Sequence, residues 1–86
     1  MFVILTYDVG TRRVGKVMKV CRKYMVHVQK SVFEGNVTEA KLERLKRELD
    51  RIIHTDEDSV CIYRVGNLAY LQKEQIGVIN DNSYII

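Results

Sequence analysis

The first eight residues alternate between two faces. Phe2, Ile4, Thr6 and Asp8 fall on one side of an extended chain, and Val3, Leu5 and Tyr7 fall on the other. The run is apolar and β-prone, and it stops at a charged residue just before Gly10, which predicts a strand over Phe2–Asp8. The period then changes to three and four. Val14, Val17, Met18, Cys21 and Met25 form one apolar stripe, which predicts a helix from a Thr11 cap to about Tyr24. On the opposite face Arg12, Lys16, Lys19 and Lys23 recur at the same spacing, so four cations line one outer surface. Gly15 is the weak point of that helix.

Residues 26–37 are β-prone and end at a Gly35-Asn36 turn signal; they read as one bent strand or as a short hairpin. The second helix is the clearest element. Thr38 caps it, and Leu42, Leu45, Leu49, Ile52 and Ile53 share one face. Glu43 precedes Arg47 by one turn, the favourable orientation for a helix ion pair, while Lys41 stands where a capping box wants Glu or Gln. An acidic turn, Asp56-Glu57-Asp58, leads into a strand over Ser59–Val65. Gly66-Asn67 then reads as a two-residue hairpin turn into 68–71. The tail at 83–86 is apolar and β-prone after a polar Asn80-Asp81-Asn82 spacer, and such a terminus asks to be paired.

This order of elements predicts an α+β, ferredoxin-like sandwich: an antiparallel sheet with two helices on one face. With 86 residues nothing remains to cover the other face. A homodimer packing sheet against sheet, with the C-terminal strand exchanged to the partner sheet, answers both the bare face and the unpaired tail. Composition changes the picture little. With no proline and 47% hydrophobic residues, 1–86 reads as a single domain with 78–86 as its tail. No apolar run reaches the roughly 18 residues of a membrane span, and the start has no basic region of the kind that opens a secretory signal, so a cytoplasmic location without membrane partners is expected.

Charge divides along the chain. Seven basic residues face Asp8 alone through Phe33, a balance of +6, and the remainder carries −3. That split reads either as a polyanion-facing first half or as ordinary solvated lysines. Cys21 and Cys61 belong to no CxxC, and both fall in apolar patterns, so they read as small core residues rather than as metal ligands, a disulfide or a nucleophile. His27 and His54 stand alone. No phosphate loop, metalloprotease or serine-hydrolase motif is present in the sequence. Asp8 is the chemical candidate, placed at the carboxyl end of a central strand. Spacing and composition alone favour a capping or loop-anchoring aspartate. The other reading is a metal ligand, with a twofold dimer bringing a second Asp8 beside it, because one carboxylate is too few to hold Mg2+ firmly.

A set of segments then carries a resemblance. Tyr7-Asp8 closes the first strand, Arg12-Arg13 opens the first helix, and Gln29-Lys30-Ser31-Val32-Phe33-Glu34-Gly35 precedes the Thr38-Glu39-Ala40 helix start. Together with Asp58-Ser59-Val60-Cys61-Ile62-Tyr63 and its following Gly turn, this order is similar to the small CRISPR-associated adaptation protein family, Cas-two. The resemblance runs from Phe2 to about Ile76. It implies a homodimer with exchanged C-terminal strands, metal-dependent endonuclease activity on single-stranded RNA or duplex DNA, and a place beside the CRISPR integrase in spacer acquisition. By position it implies Asp8 as the catalytic, Mg2+-binding aspartate, with Tyr7, Arg12, Arg13, Ser31 and Phe33 toward nucleic acid. Lys16 and Lys19 join that set from the charge pattern. His27 departs from the resemblance, standing where many members carry an arginine, and a neutral imidazole makes no bidentate phosphate contact. Phe33 alternates with Val32 in a strand, so packing is its expected role. A non-catalytic DNA-binding adaptor for the integrase and a toxin-like ribonuclease on the same fold are the alternative functions.

Overall fold

The computed structural model describes residues 1–77, and the expected tail strand at 83–86 lies outside them. Four strands and two helices follow in the order β1 (Phe2–Asp8), α1 (Thr11–Arg22), β2 (Val26–Gln29), β3 (Val32–Asn36), α2 (Glu39–Asp50) and β4 (Ser59–Val65). The strands form one sheet in the order β2-β3-β1-β4, with every neighbouring pair antiparallel. This is the ferredoxin-like sandwich expected from the element order. No helix among the described residues is long and apolar enough to cross a membrane.

Alternation in β1 decides how the layers meet. Val3, Leu5 and Tyr7 turn inward and are buried with Val17 and Cys21 from α1, Met25 just after it, and Leu42, Leu45 and Leu49 from α2. Both apolar helix stripes therefore close on the same sheet face. The register then fixes the opposite face: Phe2 stands between Asn36 and Val65, Ile4 between Glu34 and Tyr63, and Thr6 between Val32 and Cys61. Tyr63 keeps 54% of its surface exposed there, so this face is apolar and open.

Residues 26–37 form a hairpin rather than one bent strand. His27 pairs with Phe33 and Gln29 with Val32, with a bulge between His27 and Gln29. The turn is tied to the centre of the sheet, because the Tyr7 amide donates to the Ser31 carbonyl and the Tyr7 hydroxyl to the Lys30 carbonyl. The helix starts differ in kind. Thr38 caps α2 as expected, its hydroxyl accepting the Lys41 amide, whereas α1 begins after Gly10 and Thr11 is already its first helical residue. That helix also ends at Arg22, two residues early.

Two expectations are corrected. Gly66-Asn67 does not turn a hairpin into 68–71. A primed turn needs positive φ at its first central residue, which Gly66 lacks, and the Asn67 side chain instead accepts the Ala69 amide to start a short 3-10 helix, Leu68–Tyr70. The chain then crosses the open face, where Lys73 pairs with Glu34 at 2.5 Å over a groove of about 890 Å³ between residues 71–76 and Phe2, Ile4, Val28 and Val32. Cys61 is the second correction, since it is exposed while Cys21 is fully buried. Its neighbours Val60 and Ile62 point toward the core and leave Cys61 on the open face.

Candidate active site

Asp8 is the last residue of β1 and lies opposite Ser59 of β4. It follows the even-numbered row onto the open face, and its side chain is exposed. Among the described residues no three His, Cys, Asp or Glu gather as a metal site. The donor chemistry at Asp8 nevertheless suits Mg2+. This ion prefers hard oxygen ligands, keeps several waters, and is commonly held by one or two carboxylates together with substrate phosphates. One Asp8 therefore fits as part of such a set.

The cations near the chain's entry into α1 behave differently from one another. Arg12, Lys16 and Lys19 are exposed and make no ion pair among the described residues, while Lys23 is bound to Glu48, which also accepts the Tyr24 hydroxyl. Arg13 turns the other way. Its Nε lies 2.5 Å from Asp58 Oδ2, and its Nη2 reaches Asp58 Oδ1 at 2.9 Å and Glu57 at 3.0 Å. Its guanidinium is thus committed inside the protein rather than open with Arg12.

Asp58 is the residue at this corner whose contacts sequence reasoning missed. Its side chain has no exposed surface, and its two oxygens also accept the Gly10 and His54 amides, each at 2.9 Å. The Arg13 hydrogen bond, followed by the two amide bonds, holds its carboxyl far below the ordinary range against the cost of burial. Nothing local marks Asp58 among three neighbouring acids, because its main partners are 45 and 48 residues away.

Tyr7 and Phe33, expected toward nucleic acid, are core residues. Inward alternation buries Tyr7, and burial foremost, with the Cys21 thiol beside it, pushes its phenol up while Arg22 acts in the opposite sense. The Phe33 ring has no exposed surface and stacks on His27 at 4.5 Å and on Tyr7 at 6.3 Å. It has no free face for a base. His27 is buried beside it, with Nε2 3.3 Å from the Lys30 carbonyl, which makes it structural. Ser31 is half-buried in the hairpin turn and serves the fold through its carbonyl.

The chain also matches known proteins. Residues 1–73 match the family model described as CRISPR associated protein Cas2. The chain is 46% identical to the CRISPR-associated endoribonuclease Cas2 of Dictyoglomus turgidum, over 91% of this chain and 90% of that one. It is 44% identical to the protein of the same description from Thermotoga maritima, with the same two coverages of 91% and 90%. The crystal structure of Streptococcus pyogenes Cas2 superposes with a TM-score of 0.78 at 38% identity, covering 90% of this chain and all 100% of that one.

Proposed function

The chain belongs to the Cas2 family of CRISPR-associated proteins, and on that premise we propose that it is a metal-dependent endonuclease of single-stranded RNA or duplex DNA that works beside the CRISPR integrase in spacer acquisition. The observation that carries the nuclease reading is the exposed Asp8 carboxylate at the end of the central strand, on the face free of helices. A second copy laid on that face, which among the described residues carries only 71–76, supplies the other Asp8 and covers Phe2, Ile4 and Tyr63. Residues 1–86 act in this reading as one unit.

Each side chain has a limited task. Asp8 would hold Mg2+ through its carboxylate oxygens. When bound, Mg2+ neutralises charge on a phosphate oxygen and lowers the pKa of a water. Arg12, Lys16 and Lys19 hold neighbouring phosphates by charge, which grips the backbone without reading bases. Tyr7, Phe33 and Ser31 act from beneath, by fixing the strand that carries Asp8 and the turn beside it.

The adaptor reading also has its own observation. Arg12, Lys16 and Lys19 are exposed on one face of α1 with no ion pair among the described residues, and they need no chemistry to hold duplex DNA. The experiment that separates the two is a Mg2+-dependent cleavage assay on purified native protein and Asp8→Ala, each also tested for duplex binding. Loss of cleavage with binding retained supports the nuclease assignment at Asp8. Undiminished cleavage by the variant removes it.

A further inference from the structure

The chain around Asp8 is pinned from both sides by one buried carboxylate. Asp58 immediately precedes Ser59, the residue paired with Asp8 across β1 and β4, and it accepts the amide of Gly10, two residues beyond Asp8. Only Val9 lies between Asp8 and that anchor. The same carboxylate holds the His54 amide in the turn between α2 and β4 and two nitrogens of Arg13 in the first turn of α1. Each oxygen accepts two donors, so Asp58 has neither surface nor lone pairs to spare for a ligand of its own.

Gly10 bears on the same point. Its φ of −58° and ψ of 147° are open to any residue, so its backbone does not require glycine. A Cβ there, however, would stand 2.6 Å from Arg13 Nη2. A side chain there requires the end of the guanidinium to move away from the backbone at that position.

We propose that Asp58 is a positioning residue for Asp8: by bonding Gly10 and locking Arg13 beside it, Asp58 holds the end of β1 in the one geometry from which Asp8 takes a metal ion. The inference rests on Asp8 being the metal ligand. Groups that orient a ligand without touching the metal set its affinity by restricting the ligand's freedom before binding. In Asp58→Asn one oxygen becomes an NH2 that faces N–H donors, so the clamp opens with little change in volume. In Gly10→Ala the carboxylate remains and only the guanidinium is displaced.

The test is a Mn2+ titration followed by electron paramagnetic resonance on the full chain, with amide exchange at Val9 and Gly10 in the metal-free protein. Native protein, Asp8→Ala, Asp58→Asn and Gly10→Ala are compared, along with their Mg2+ dependence of RNA cleavage. The expected result is metal binding lost in Asp8→Ala, and about 10-fold weaker in Asp58→Asn and Gly10→Ala, with faster exchange at the Gly10 amide in Asp58→Asn, where its acceptor is changed. Turnover at saturating Mg2+ is expected to stay at the native value in both clamp variants. If Asp58→Asn does not fold, Gly10→Ala carries the same expectation of weaker metal binding. Native Mn2+ affinity in a clamp variant whose Gly10 amide exchanges fast overturns the positioning role while leaving Asp8 as ligand. Native Mn2+ affinity in Asp8→Ala overturns the ligand assignment itself, and the inference with it.

Discussion

Phe33 separates a core role from a base-contacting one, and the structure sets the size of the effect. The ring is fully buried, pairs opposite Leu5, and stacks on His27 and Tyr7. Truncating a buried Phe to Ala costs about 3–5 kcal/mol, against a total stability of about 4–13 kcal/mol for a chain of 86 residues. That loss would leave little folded protein to assay, so Phe33→Leu is the better probe. Leucine keeps most of the apolar volume and removes both ring pairs, a loss of about 1–3 kcal/mol. With a urea m-value of about 1 kcal/mol/M, the midpoint falls by about 1–3 M. The assay is urea unfolding by far-UV circular dichroism at one fixed protein concentration, because a dimer makes the midpoint concentration-dependent. Duplex and RNA binding are then measured per folded molecule and are expected to match the native protein. A midpoint shift under about 0.5 M together with a several-fold loss of affinity would refute the reasoning and return Phe33 to the nucleic-acid surface.

The remaining predictions concern charge, pH and thiols. Replacing both Lys16 and Lys19 with Ala lowers the slope of log affinity against log salt on duplex DNA by about 1.8, roughly 0.9 for each phosphate no longer neutralised, and does so for any sequence; an unchanged slope in filter-binding isotherms places the DNA on another surface. Because Arg13 and two amides depress the Asp58 pKa in the folded state, its stabilisation is fully present above the unfolded carboxylate range near pH 4 and is lost as pH falls below it. The urea midpoint of the native protein therefore drops more steeply between pH 5 and 2 than that of Asp58→Asn, and parallel acid limbs would contradict this (window set by the ordinary Asp value of about 3.9). Burial pushes the Cys21 thiol up to about 12, so in folded protein at pH 8 it stays unreactive to a disulfide reagent until urea is added. Cys61, on the open sheet face, reacts without urea and more slowly as protein concentration rises toward the dimer; a rate independent of concentration argues against a second copy on that face.

Local periodicity marked four of the elements. Alternation marked β1 and β4, the three-four spacing of apolar residues marked both helices, and Thr38 marked the start of α2 to the residue. The order of those elements led to the ferredoxin-like sheet, and Asp8 was placed at a strand end from its position in the pattern. The tertiary structure decided what those residues face. Both rows of β1 are apolar, and only the closing of two helices on Val3, Leu5 and Tyr7 made the even-numbered row the open one. Arg12 and Arg13 are adjacent cations in the sequence, yet one is exposed and the other is held by Asp58 across 45 residues. Cys61 and Phe33 each sit in apolar patterns of the same appearance, and one lies outside while the other is central. The physical reason is range. Backbone propensity and side-chain period act over a few neighbouring residues, whereas burial and hydrogen-bond pairing depend on which distant segment the fold brings alongside.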